Sequence, residues 1–238
     1  MQPSFEHSIW YEAQDFAFIY LPKVACTAWK LFLWQASGHA IPADLQYKDV
    51  HNPNCLVLPY VGQMSKERQK VYLQKLDQGQ LTAMAVIRNP LSRVLSAYLD
   101  KILFHDNPQS QFSRSVLPAI QNSFGLASDQ RPSFEQFLRW IKAQPDTQQW
   151  NPHWRPMVQF LGNTDRLQLW PMEQLDAAVH AANTQFNCNL SFPQRQVLGP
   201  RQTYNSQTLC ERYYGPLELS LVNEMYRDDL ELHAALVS

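Results

Sequence analysis

Residues 16–30 read FAFIYLPKVACTAWK, and this stretch decides how the rest of the chain is read. Residues 16–21 form a short apolar run, rich in aromatic and β-branched side chains and stopped by Pro22, which predicts a buried strand. From Thr27 to about Ala36 the period changes, and Trp29, Leu31, Phe32 and Leu33 fit a buried helix. Only Pro22, Lys23, Val24, Ala25 and Cys26 lie between. A strand, a tight turn with one lysine and a helix opening on threonine can form an anion site. The first N–H groups of a helix have no partner within it, its dipole favours negative charge there, and lysine adds a full positive charge. Thr27 can cap the helix or bond the ligand. A core strand running into a core helix, with Lys23 merely exposed, is equally compatible with this stretch. Residues 21–29 contain no glycine, which excludes the two-glycine phosphate loop of the common nucleotide hydrolases.

Working outward, the next strand–turn–helix lies at residues 82–105. TAMAVI at 82–87 predicts a second buried strand, followed at once by Arg88-Asn89-Pro90. Proline suits a first helical turn, and Leu91, Val94, Leu95, Tyr98, Ile102 and Leu103 give the helix over residues 90–105 an apolar face. In an open parallel sheet, ligands bind beyond the carboxyl ends of the strands. Two such units side by side place Lys23 and Arg88 at one rim, an arrangement suited to a ligand with two separated anionic groups.

The whole chain sets the outer limits. Its 238 residues allow one large domain or a small domain with an appendage, taken as a single domain over residues 1–238, with room for a substantial core. A net charge of −1 removes any bulk electrostatic case for nucleic acid or an anionic membrane, so a basic site must be local. The opening MQPSFEHSIW lacks the pattern of a signal peptide, and no apolar run is long enough for a membrane span. Four cysteines with no C-x-x-C pair suggest a reducing compartment, and the expected location is cytoplasmic. The seven glycines are scattered, which excludes a G-x-G-x-x-G dinucleotide loop, and neither H-E-x-x-H nor D-x-D is present.

Elsewhere, residues 37–60 predict a long loop carrying His51, and residues 65–76 a helix ended by Gly79. Residues 104–131 read as a mixed polar insertion. Ser133 and Gln136 form the ends of a capping box for a helix beginning SFEQFLRWIKA. A third strand is expected at residues 166–170, a helix at 172–185, a loop at 186–205 and one amphipathic helix at 216–236.

LPKVACTAWK resembles the loop that holds the 5′-phosphosulfate in carbohydrate sulfotransferases, with its pattern P-K-V-A/G-C/S-T-x-W-K, and RNPLSRVLSAYLDKI is similar to their 3′-phosphate motif R-D/N-P-x-x-R-x-x-S-x-Y. The nearest branch is that of the chondroitin and dermatan N-acetylgalactosamine 4-sulfotransferases. NPHWRPMVQ at 151–159, Glu173 with Leu175, and Tyr226 to Leu230 give weaker echoes of the same family. The resemblance implies an α/β fold, a P-loop-like three-layer sandwich with a central, mostly parallel sheet flanked by helices. It implies a 3′-phosphoadenosine 5′-phosphosulfate (PAPS) donor, 3′-phosphoadenosine 5′-phosphate (PAP) as product, no metal, and a carbohydrate or small hydroxylated acceptor. Lys23 and the backbone of Val24, Ala25, Cys26, Thr27 and Ala28 would hold the 5′-phosphosulfate. Trp29 would stack on adenine or lie in the core, and Arg88 with Ser96 would grip the 3′-phosphate. Arg93 would join them or serve a salt bridge. Transfer to a hydroxyl needs a base; His51 and His153 are the two histidines with a case, and Glu and Asp candidates stay open. A donor-binding module without catalysis, or a kinase with an unusual phosphate loop, are the alternatives. Golgi members of the family carry an N-terminal anchor and often disulfides; neither is read here.

Overall fold

The computed structural model describes residues 2–52, 55–193 and 206–238. In chain order, β1 (Ser8–Tyr11) and β2 (Phe16–Ile19) lead to α1 (Cys26–Ala36), α2 (Lys66–Asp77) and β3 (Thr82–Ile87). Then come α3 (Pro90–Tyr98), α4 (Leu117–Phe124), α5 (Phe134–Lys142), α6 (Val158–Leu161), β4 (Leu167–Pro171), α7 (Leu175–Phe186), α8 (Ser206–Tyr213), α9 (Pro216–Met225) and α10 (Arg227–Val237). The chain, read from its length as one domain, divides into two compact units. Unit 1 is Met1–Arg88, Met157–Gln202 and Leu236–Ser238; unit 2 is Asn89–Pro156 and Thr203–Ala235.

Unit 1 is α/β, with the sheet order β1-β2-β3-β4. β1 runs antiparallel to β2, while β2, β3 and β4 are parallel. Every residue of β1 and β2 is buried, as are the last five of β3. A parallel strand covered on both faces needs apolar side chains at every position, which is why FAFI and AMAVI are unbroken runs. Phe18 pairs with Met84 and Ile19 with Ala85, so the segments leaving β2 and β3 start from the same sheet edge. Beneath the sheet, Trp10, Ala17, Val61, Tyr72, Leu76, Leu81 and Ala83 form one core cluster. Burial lifts the Tyr72 phenol to about 12.

Unit 2 has its own core, built around Leu95, Tyr98, Phe137, Leu138, Ile141, Trp154, Val222 and Tyr226. The Tyr226 hydroxyl donates to the Trp154 carbonyl at 2.6 Å and that of Tyr98 to the Pro132 carbonyl at 2.9 Å. Asn89 caps α3, its side chain accepting from the N–H groups of Leu91 and Ser92, a contact worth about 1 kcal/mol. The Ser133–Gln136 capping box at α5 is present as expected.

Four expectations are corrected. β1 adds an antiparallel strand that the apolar pattern did not announce. The stretch 104–131 is not irregular throughout: it contains α4, whose Pro118 sits in the first turn. The helix expected over 90–105 is α-helical only through Tyr98 and continues as a π-helical turn, Leu99–Leu103. The single helix expected over 216–236 is two, broken at Tyr226, whose backbone (φ −124°, ψ 29°) is not helical. The loop expected over 186–205 lies outside the described residues from 194 onward. Among the described residues no helix is long and apolar enough to cross a membrane.

Candidate functional site

The turn after β2 is closed by the Val24 N–H donating to the Leu21 carbonyl at 3.2 Å. Pro22 suits the second position of such a turn. The third position is Lys23, at φ +69°, where a turn of this kind favours glycine. Two residues on, Ala25 is also left-handed, at φ +49°. A left-handed conformation costs a side-chain-bearing residue about 1–2 kcal/mol, and such strain gathers at functional sites. Successive residues whose φ alternates in sign turn their N–H groups toward one point, a concavity that receives anions.

Ala25 is the N-cap of α1 and has no side chain to accept from the first helical N–H groups. The expectation that Thr27 caps the helix is therefore corrected: Thr27 lies one residue inside it. Its hydroxyl turns instead to His51, with Oγ1 3.0 Å from Nε2. The N–H groups of Cys26, Thr27 and Ala28 belong to the first turn, where the helix itself provides no acceptors.

Arg88 meets this turn directly. Its Nη1 donates to the Lys23 carbonyl at 3.0 Å, so the arginine that follows β3 pins the strained lysine that follows β2. Both residues are half-buried. This is the juxtaposition that the parallel pairing of β2 and β3 imposes.

His51 ends a short 3-10 turn, Tyr47–His51, inside the long loop. It lies at the surface, yet its two ring nitrogens face different partners: Nε2 faces Thr27, and Nδ1 lies 3.4 Å from Lys30 Nζ. Lys30 is 3% exposed, an unusual place for a lysine. Its Nζ lies 4.0 Å from the centre of the Tyr20 ring and 5.4 Å from that of Tyr60. Burial pulls the Lys30 ammonium below its ordinary value. Burial first, then neighbouring charge, pushes the Tyr20 and Tyr60 phenols above theirs, so both stay neutral. His51, Lys30, Tyr20 and Tyr60, with Glu6, Gly62 and Gln63, line a cleft of about 350 Å³. Aromatic rings beside a few polar groups are the usual lining of a small-molecule site.

The remaining expected site residues fall elsewhere. Trp29 is core: it is 0% exposed, stacked on Phe18 at 4.7 Å and edge-on to Phe32 and Phe192. An indole enclosed in this way has no face left for adenine, which corrects the stacking role. Ser96 sits half-buried on α3 in unit 2. Arg93 is 1% exposed, and its guanidinium donates to the carbonyls of Arg155 (2.8 Å) and Pro152 (3.2 Å). These bonds tie it to the 152–155 segment. His153 belongs to that segment in unit 2, with Nδ1 2.7 Å from the Asn151 side-chain oxygen and its ring edge-on to Phe112. Lys30 is the site residue that sequence reasoning undervalued. Its signals were a lysine within the apolar run of α1, three residues after Thr27, and the closing K of the P-K-V-A/G-C/S-T-x-W-K pattern.

Comparison with known proteins supplies independent findings. A family profile described as the sulfotransferase family matches residues 6–234. The chain is 24% identical over 211 residues to carbohydrate sulfotransferase 14 of Danio rerio, covering 81% of this chain and 52% of that protein. It is 26% identical over 176 residues to carbohydrate sulfotransferase 12 of Xenopus laevis, covering 63% and 40%. To carbohydrate sulfotransferase 11 of Rattus norvegicus it is 27% identical over 165 residues, covering 63% and 44%. The chain thus spans about half the length, or less, of the curated relatives it matches. No solved structure matches it significantly.

Proposed function

Because the chain belongs to the sulfotransferase family, we propose that it transfers a sulfuryl group from PAPS to a hydroxyl group of a carbohydrate. The observation that carries this reading is the meeting of His51 Nε2 with Thr27 Oγ1 at 3.0 Å, which sets a potential base against the first turn of the anion-binding helix.

The residues of the turn fit such a donor. Lys23, the first-turn N–H groups of α1 and the Arg88 guanidinium gather positive charge at one sheet edge, and the donor carries anions at both ends of its ribose. Arginine pairs with phosphate through two parallel N–H bonds, the geometry that suits Arg88 to an anionic group of the donor. Sulfuryl transfer asks little covalent work of a protein, so catalysis is positioning and charge stabilisation, as in phosphoryl transfer. The acceptor oxygen bonds to sulfur, the bond from sulfur to the 5′-phosphate oxygen breaks, and the hydroxyl proton passes to a base. Lys23 neutralises charge that grows on the departing phosphate. His51 takes the proton, with the acceptor lying in the cleft beside Tyr20 and Tyr60. His51 is preferred to His153 because its ring nitrogen contacts a residue of the donor turn.

Transfer of labelled sulfate from PAPS onto a panel of hydroxylated glycans tests the reading. The expected result is label on at least one glycan, lost when Lys23 is replaced. PAP binding without transfer to any member would leave a donor-binding module and end the enzymatic proposal.

A further inference from the structure

We infer that Lys30 is a positioning residue that serves His51 as a neutral amine, accepting the Nδ1 proton so that Nε2 keeps its lone pair for the acceptor hydroxyl. The inference rests on the proposal that His51 is the base, and adds to it the partner that makes the base competent.

A neutral imidazole carries one proton, on one of its two nitrogens, and the hydrogen bond at the other nitrogen settles which. Here Nδ1 lies 3.4 Å from Lys30 Nζ and Nε2 3.0 Å from Thr27 Oγ1. An ammonium at Lys30 has only donors. It would bond to a bare Nδ1 and force the ring proton onto Nε2, the nitrogen facing the donor turn. In that state Nε2 cannot receive a proton. A neutral amine at Lys30 reverses the pattern: Nδ1–H donates to Nζ, and Nε2 accepts from a hydroxyl. Thr27 supplies that hydroxyl in this structure, and an acceptor sugar would take its place.

The surroundings of Lys30 suit a group that changes its protonation. Among the described residues it makes no salt bridge, and its 3% exposure denies the ammonium water. Among the described residues, few titratable groups face it. Tyr20 and Tyr60 present ring faces to Nζ, the Cys26 thiol is close enough to favour its charge slightly, and the exposed Glu6 lines the same cleft. On the turn that carries His51, the Asp49 carboxylate is engaged by the Gln46 N–H at 3.0 Å. Burial is the largest influence on Lys30 and favours the amine. The ring faces attract a cation, so they receive the charge when it arrives. The proton count closes: the acceptor hydroxyl gives its proton to Nε2, Nδ1 gives its proton to Lys30, and the ring is neutral again. After transfer the ammonium returns its proton to Nδ1 and the exposed His51 gives the Nε2 proton to water, which restores the starting tautomer.

The test compares Lys30→Arg, Lys30→Met and Lys30→Gln by steady-state kinetics against pH. Arginine keeps the charge but cannot accept, and methionine offers no useful acceptor. Glutamine is neutral, and its amide oxygen accepts from Nδ1–H. Arginine and methionine are expected to lower kcat on the order of 100-fold, the lower end of what a general base contributes, with KM for PAPS unchanged. Glutamine is expected to restore most of the rate. Its rise in activity with pH should also be complete at a lower pH than in the parent enzyme, because the lysine no longer has to lose a proton. A merely structural cation predicts the reverse: arginine active with the parent's pH profile, and glutamine inactive at every pH. That outcome would overturn the inference. If the variants fail to fold, nitrogen NMR of the parent protein labelled at histidine decides directly. A proton on Nδ1 of neutral His51 supports the assignment, and a proton on Nε2 sinks it. Full activity in His51→Ala would instead remove the base proposal, a result the tautomer measurement does not depend on.

Discussion

Replacing Lys23 by alanine is expected to lower kcat/KM by roughly 10²–10³-fold, equivalent to about 2.7–4 kcal/mol of transition-state stabilisation, the scale of losing one preorganised charge-stabilising donor. The ammonium is a full charge on the turn that Arg88 pins, and the backbone N–H groups beside it cannot replace it. The same position separates function from stability. Lys23 sits at φ +69°, which alanine tolerates no better than lysine, whereas glycine adopts it without a Cβ penalty. Lys23→Gly should therefore be as inactive as Lys23→Ala yet more stable by about 1 kcal/mol in thermal or denaturant unfolding. Steady-state kinetics with melting curves on both variants check this. An active glycine variant would show that the lysine is on the turn for reasons other than charge.

His51→Ala is expected to lower kcat by roughly 10²–10⁴-fold while PAP binding stays unchanged. The contrast with Lys23 is the informative part. Removing the lysine weakens both donor binding and turnover, whereas removing the histidine spares the donor and strikes only the proton transfer. His51 is exposed, so its loss should change stability by no more than about 0.5 kcal/mol, which keeps the kinetic result interpretable. Activity in the parent enzyme should fall as pH is lowered, because an imidazolium has no lone pair to offer. A His51→Ala variant with parental turnover would move the base to another residue.

How much of this was legible in the sequence follows from burial. β2 and β3 could be read directly because both of their faces are covered, which leaves a continuous apolar signal. Their parallel pairing then put Lys23 and Arg88 together, and that inference held at the level of a hydrogen bond. β1 was missed because four buried residues flanked by short 3-10 turns carry no period of their own. α4 was missed because residues 104–131 are mixed and polar, although Pro118 sits where proline is favourable, in a first turn. The break at Tyr226 is a backbone event inside a continuing apolar pattern, with the ring held by its bond to the Trp154 carbonyl. At the site, Trp29 and Lys30 were the hard pair. Periodicity places both on α1 but does not say that the tryptophan faces the core while the lysine lies buried under a loop histidine. The contact of Thr27 with His51 joins residues 24 positions apart across an irregular segment, and nothing in local spacing encodes it.

The central claim is that the turn bearing Lys23, pinned by Arg88, receives a nucleotide with anions at both the 5′ and 3′ positions. Thermal unfolding of the intact chain with added nucleotide tests it most directly. PAP at 100 times its dissociation constant should stabilise the fold by about 2.7 kcal/mol, and adenosine 5′-phosphate at the same concentration should do much less because it lacks the 3′ anion. A folded chain whose melting curve is unmoved by PAP, or moved equally by the two nucleotides, would contradict it.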